Sequence, residues 1–296
     1  MSKRMLLMIK TNSDKLIIQS VCGEIVHPPR AGAYRISSQG EALVLPGVGG
    51  IVYNVKIGDS AFGWVGDHIE PGVSIKNSDV KNNEALNTIS CIGNEARVVS
   101  GEAKGAIGYV SGTHGGIEHV LVQFKSEDLE KMVIGDTIQI KACGQGLKFK
   151  ELDGIKCLNL SPQLLEKWDI FIEDKILNVP ICVNVPAYMM GSGVGSGSMH
   201  RGDYDIMTSD KDAVKEFGID QLRLGDLVMI TDHDTRYGVA YRKGFVSVGV
   251  VVHTDCIQSG HGPGVCMLLT GPAELIHPIY DKNANIGFML NKTNKL

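Results

Sequence analysis

No amphipathic helical pattern in this chain runs beyond about three turns, and that limit does most to fix its class. The apolar segments are short, valine-rich and often alternating, as in IVYNVKI at 51–57 and FVSVGVVVH at 245–253. Alternation at period two sends one set of side chains to a buried face and the next outward, which marks strands. A doubly wound sheet would need helices of roughly 10–15 residues between its strands. The 36 glycines supply tight turns between short elements instead. The expected fold is mainly β, a layered β-sandwich with a small β-barrel subdomain and a few short helices.

The barrel is expected at 83–150, inserted into a main β domain built from 1–82 and 151–296. Within it, ARVVSGEAKGAIGYVSGTHGGIEHVLVQF at 96–124 resembles the KOW-type, SH3-like small barrel, with Ala103-Lys104-Gly105 as its turn. Hydrophobic-Gly-Asp-x-hydrophobic occurs at Gly58-Asp59, Gly135-Asp136 and Gly225-Asp226, each at a strand boundary. This reads as one recurring turn chemistry rather than a sequence repeat. Short helices are expected at 126–133, after Ser161-Pro162 and at 210–217. The last twenty residues read as a loosely docked tail.

A chain of 296 residues with net charge −4 has an ample core and no basic stripe, so neither nucleic acid nor an acidic membrane surface is an expected partner. The seven cysteines are odd in number and never spaced C-x-x-C, which fits free, buried thiols in a reducing compartment. The apolar run Met5 to Ile9 is too short for a signal segment. The expected location is cytoplasmic.

Chemistry concentrates in 224–264, which holds Asp232-His233-Asp234, Arg236, Arg242, His253 and Gly260-His261-Gly262-Pro263-Gly264. His253 falls at the end of a valine strand, where a side chain can face a cleft. A second polar cluster is Asp67, His68 and Glu70, bounded by glycines. Carboxylate plus imidazole suits zinc, manganese or iron, so Asp67, His68, Asp232, His233 and His253 are the candidate ligands of a divalent ion. Asp67, His68, Asp232, His233 and His261 are the candidate catalytic groups.

The competing structural reading is that such Asp/His triplets only cap turn amides. His119, His27, His114 and His277 are read as structural. The run from Gly191 to Gly197 lacks the spacing of a phosphate-binding loop and is read as a lid over a pocket. Gly193, Gly195, His200, Gly262 and Arg236 are the candidate ligand-binding residues, with Asp203 a further donor three positions after His200. Cys256 follows His253 by three positions, but nothing in the sequence marks it as an activated nucleophile.

GDHIEPGVSI, GEAKGAIGYVSGTHGG, GDLVMITDHDTRYG and SVGVVVHTDCIQSGHGPGV occur in order. With them, nearly the full chain resembles a prokaryotic domain-of-unknown-function family known mainly from structural genomics. That resemblance implies a mainly β, layered fold with a small barrel and implies no activity. A second similarity, in glycine-rich β segments with Gly-Asp turns and acid/His clusters, points toward acetamidase/formamidase-like hydrolases. Three functions stay open. One is a metal-assisted enzyme, such as an amide hydrolase, acting on a small polar metabolite. Another is a non-catalytic protein binding a small molecule in the same pocket. The third is an assembly protein using the small barrel. Edge strands make a homo-oligomer the expected state.

Overall fold

The computed structural model describes residues 9–29 and 32–291. Six antiparallel strands close into a barrel: β1 (Gln19–Ile25), β2 (Gly72–Lys76), β3 (Glu95–Val98), β4 (Ile107–His114), β5 (His119–Gln123) and β6 (Thr137–Ala142). Their order is β1-β6-β3-β4-β5-β2, and Glu24 and Ile25 pair with Lys76 and Ile75 to shut the ring. Strands β1 and β2 precede residue 83, so the barrel draws on chain outside the 83–150 insert. The reason is edge pairing: β3 to β6 alone would leave open edges on β5 and β6. On β3 and β6 buried residues alternate with exposed ones, and Ala96, Val98, Ile138 and Ile140 fill the barrel with Val73, Ile75, Val110 and Val122. The turn through Ala103-Lys104-Gly105 joins β3 to β4. There Gly105 takes a φ of +100° and its N–H donates to the Val98 carbonyl.

The second sheet is a half-barrel. It contains β7 (Val183–Pro186), β8 (Met190–Val194), β9 (Tyr204–Ile206), β10 (Leu227–Asp234), β11 (Ala240–Val251) and β12 (Gly264–Pro272). Its order is β7-β10-β11-β12-β9-β8, antiparallel except for the parallel β7–β10 pair. The short strand at 156–157 also pairs with β12. Strand β12 is buried on both faces, one of them against barrel strand β4. The Thr113 N–H of β4 donates to Cys266 Sγ of β12 at 3.2 Å, so the two layers meet without a gap.

The three Gly-Asp phrases share one geometry. Asp59, Asp136 and Asp226 each accept from the backbone N–H three residues earlier, at 2.9, 3.0 and 2.8 Å. The preceding glycines carry φ of +103°, +93° and +85°, which a side chain would resist. Helices stay short, at Val80–Ile89, Ser126–Leu129, Pro162–Leu165, Lys211–Glu216 and Ile286–Leu290. The last of these overturns the loose tail. Asn285 caps it through the Gly287 N–H at 2.8 Å, and Ile286 and Leu290 are buried in the core at helical spacing. Residues 292–296 of that tail, and Met5 to Met8 of the N-terminal run, lie outside the described residues. All seven cysteines are free, five of them buried. No helix among the described residues is long and apolar enough to cross a membrane.

Candidate metal centre

Four chain segments meet where the barrel abuts the half-barrel. The loop before β2 brings Asp67, His68 and Glu70. The β4–β5 hairpin brings His114 and His119, which face each other across the two strands. Strand β9 carries Asp205, with Asp203 two residues earlier and therefore on the same face. The connection from β11 to β12 supplies His253, Asp255, Cys256 and His261. The imidazole centroids lie 4.4 Å apart for His114 and His253, 5.0 Å for His68 and His253, and 5.5 Å for His68 with either His114 or His261.

Three overlapping groups place their donor atoms within 4.8 Å of one another: His68, His114 and His253; His68, Cys256 and His261; and Asp203, Asp205 and His253. The protein thus has His/Asp/Cys groups positioned to hold a metal ion. Outer partners orient the inner two imidazoles. Glu70, fully buried, meets His114 Nδ1 through Oε1 and His119 Nδ1 through Oε2 at 3.0 Å. It is itself fixed by the Gly49 N–H at 2.7 Å and the Ser74 hydroxyl. His114 Nδ1 is therefore committed to the carboxylate, which leaves Nε2 to the centre. His253 Nδ1 donates to the Thr254 carbonyl at 2.9 Å and its Nε2 stands 2.7 Å from Asp203 Oδ2. Carboxylate or carbonyl behind a ligating histidine fixes its tautomer and raises its basicity.

The site concentrates buried acids. Asp67, Glu70, Asp203 and Asp205 are all buried, and Arg35, bound to Asp67 Oδ2 at 2.7 Å, neutralises one of them. At His253 the Nε2 lone pair would point at a carboxylate oxygen unless a proton or a metal ion lay between them. Without a metal the answer is a proton. Burial works against charge on His253, but Asp203 and Asp205 overcome it and lift its pKa well above the ordinary value. His68 is raised in the same way, against burial, chiefly by Asp205 and Asp67. Asp205 pays a burial cost too, yet His253, His261 and His68 hold it far below the usual carboxylate range. A divalent ion would replace those protons.

Local backbone serves this packing. His68 sits at φ +50°, a conformation that costs free energy for a side-chain residue and turns the ring into the centre. Its Nδ1 lies 3.3 Å from Asp67 Oδ1 but off the bonding direction, and it is a buried nitrogen without a hydrogen bond among the described residues. A Cβ on Gly264 would overlap both Asp203 Oδ2 and His253 Nε2, so only glycine lets β12 pass beneath them. Beside the cluster, a cavity of about 190 Å³ reaches Asp67 and Ile257 and is lined by Tyr34, Arg35 and Pro46.

Of the residues singled out from sequence, Asp67, His68, His253 and His261 stand together here, and Asp203 joins them. His261 forms the rim, 30% exposed, with Nδ1 2.9 Å from Asp205 Oδ2. Asp67 is engaged by Arg35, by His68 and by the Ile257 N–H, so it orients more than it ligates. Asp232 and His233 lie elsewhere. A bulge between Thr231 and His233 breaks the extended register, and Asp232 takes φ +55° and accepts the Gly244 N–H at 2.8 Å. His233 is buried against Ser247, 3.0 Å from Nδ1, and stacks on Tyr204. Tyr204 points to the face of β9 opposite Asp205.

The candidate ligand binders also find structural partners. Arg236 grips Asp234 through two nitrogens, at 3.0 and 2.8 Å, and lies over the Phe245 ring. His200 meets Gln145 at 2.9 Å. Gly193 runs close against Asp205 and His261, Gly195 against Gly115, and Gly262 against the Ile206 carbonyl. The run from Gly191 is thus partly strand β8, paired to β9 and serving as the wall behind the centre rather than as a free lid. Sequence reasoning missed His114, His119 and Asp205 as site residues. The Asp203-x-Asp205 spacing on a strand was the available signal for one of them.

Fold and site together define a mainly β protein, a closed six-strand barrel joined to a half-barrel, with metal-ligating groups at the seam. The chain belongs to the family described as domain of unknown function DUF4438: its N-terminal model matches 34–166 and its C-terminal model 167–290. It is similar to the solved crystal structure of TM1086, with 48% identity, 95% of this chain and 98% of that chain covered, and a TM-score of 0.91. No curated protein matches the chain.

Proposed function

We propose that this protein is a metal-assisted hydrolase of small polar metabolites, with an amide as the favoured substrate. The observation that carries the reading is the His68, His114 and His253 group, in which Glu70 and the Thr254 carbonyl turn two of the three rings toward a common point. Nitrogen ligands with carboxylates beside them suit zinc, manganese or iron. Such an ion supplies Lewis acidity and brings the pKa of water down toward about 7.

The chain's own residues do the rest. Arg35, at the mouth of the cavity and partly exposed, attracts a polar or anionic substrate group while holding Asp67. His261 is the one imidazole of the cluster with substantial solvent access, and its hydrogen bond to Asp205 orients it for proton exchange. In hydrolysis the water oxygen bonds to the carbonyl carbon, the C–N bond breaks, and the proton released passes through His261 to the departing amine.

Elemental mass spectrometry of protein purified without chelator tests the first half. Stoichiometric zinc, manganese or iron that vanishes in His253→Ala supports the centre; no metal, even after incubation with each ion, overturns it. Metal-loaded protein is then offered short aliphatic amides and the matching esters. Turnover abolished by His261→Ala supports the hydrolase. Metal without turnover, but with thermal stabilisation by the same amides, would favour the non-catalytic binder.

A further inference from the structure

We infer that the centre holds two divalent cations, bridged by the carboxylate of Asp205. The inference rests on the metal reading above and deepens it. The donors are more than one ion needs, and they divide into two sets on either side of this carboxylate. The inner set is His114, His253 and Asp203. The outer set is His68, Cys256 and His261, whose donor atoms form a group of their own within 4.8 Å; His261 then serves as a ligand, and the proton released in hydrolysis passes to the amine without it. Asp205 addresses both. Its Oδ1 lies 3.6 Å from His253 Nε2, while its Oδ2 lies 2.9 Å from His261 Nδ1 and 3.6 Å from His68 Nε2. One oxygen toward each set is the arrangement of a bridging carboxylate, and paired ions of this kind sit roughly 3.5–4 Å apart.

His68 decides between one ion and two. Its ring is within ligand reach of both sets, but its Nε2 faces the same Asp205 oxygen as His261, which assigns it to the outer ion. It is 5% exposed, with Nδ1 turned to Asp67 Oδ1 at 3.3 Å and Nε2 left for the centre. The inner ion keeps His114, His253, Asp203 and Asp205, a complete set of four. Cys256 completes the outer set. Its sulfur accepts the Gln258 N–H at 3.3 Å, and its thiol proton goes to Asp67, a proton that a bound ion would displace. Charge agrees: with Asp67 answered by Arg35, two divalent ions offset Glu70, Asp203, Asp205 and a Cys256 that gives up its proton on binding, which a single ion would leave in excess.

The experiment uses the full chain loaded with zinc, then with cobalt as an optical probe. Wild type is expected to bind two zinc ions. His261→Ala, altered only at the exposed rim, and Cys256→Ala are each expected to bind one. Cobalt-loaded wild type should show a sulfur-to-cobalt charge-transfer band that Cys256→Ala removes. Circular dichroism confirms that the variants fold, and Cys256→Ser serves as a second, nearly isosteric variant. One zinc in wild type, unchanged in all three variants, overturns the paired centre and leaves the one-ion reading standing. No zinc at all overturns both. Two zinc ions that persist in both His261→Ala and Cys256→Ala place the second ion elsewhere and also overturn the inference.

Discussion

Glu70 Oε2 stands 3.0 Å from His119 Nδ1 while Oε1 of the same carboxylate engages His114 Nδ1, so one buried acid orients two imidazoles of a strand hairpin. Burial alone would favour its neutral form, but the two rings hold Glu70 well below the usual carboxylate range. Glu70→Gln keeps the shape and removes the charge. His114 would lose the carboxylate that orients its ring, so metal affinity should fall roughly 10–100-fold. Competition against a chromogenic chelator measures this, and an unchanged affinity would show that Glu70 is only a structural group.

Gly264 offers a test that leaves every donor in place. Its Cα passes so near Asp203 Oδ2 and His253 Nε2 that an added methyl group must push both aside. A displacement of about 1 Å at such a site is expensive in function. Gly264→Ala should therefore lose metal stoichiometry as fully as His253→Ala while retaining its β-sheet circular dichroism. Normal metal content in Gly264→Ala would mean that His253 and Asp203 do not share an ion.

How much of this was readable beforehand differs from residue to residue. The alternation in β3 and β6 and the valine strand ending at His253 carried the β class and one residue of the His/Asp/Cys cluster, because period-two burial is a local property. His114 and His119 carry no such mark. What makes them more than buried strand histidines is their cross-strand pairing and a carboxylate 44 and 49 positions earlier in the chain, both long-range facts. Asp232-His233-Asp234 misled for the opposite reason. Its composition promised a ligand set, but a one-residue bulge redirects Asp232 to a backbone amide and sends His233 into the interior.

Asp232 consequently yields a stability prediction rather than a catalytic one. At φ +55° a non-glycine residue pays a backbone cost, which Asp232 offsets by accepting the Gly244 N–H. Asp232→Ala keeps the cost and loses the acceptor, and should destabilise by about 1–2 kcal/mol. Asp232→Gly loses the acceptor but sheds the cost, so it should fall within about 0.5 kcal/mol of wild type. Urea unfolding ranks the three, and both variants should keep their metal. Metal loss in either would return Asp232 to the ligand set.

His233 gives the pH dependence, and its sign follows from burial. Desolvation, only partly countered by Asp234, lowers its pKa to about 4 in the folded protein, against 6.5 as the ordinary value. The unfolded chain thus takes up a proton below pH 6.5 that the folded chain refuses until near pH 4. Stability falls as the pH drops through that window and levels off beneath it, by about 3 kcal/mol in all for this group. Above pH 6.5 the ring is neutral in both states and contributes no slope. His233→Gln removes the titration, and its amide can still reach the Ser247 hydroxyl that now lies 3.0 Å from Nδ1. Denaturation of the metal-free proteins across this range should show the wild type losing stability faster than His233→Gln toward acid. Parallel curves would mean that the buried ring takes a proton without cost.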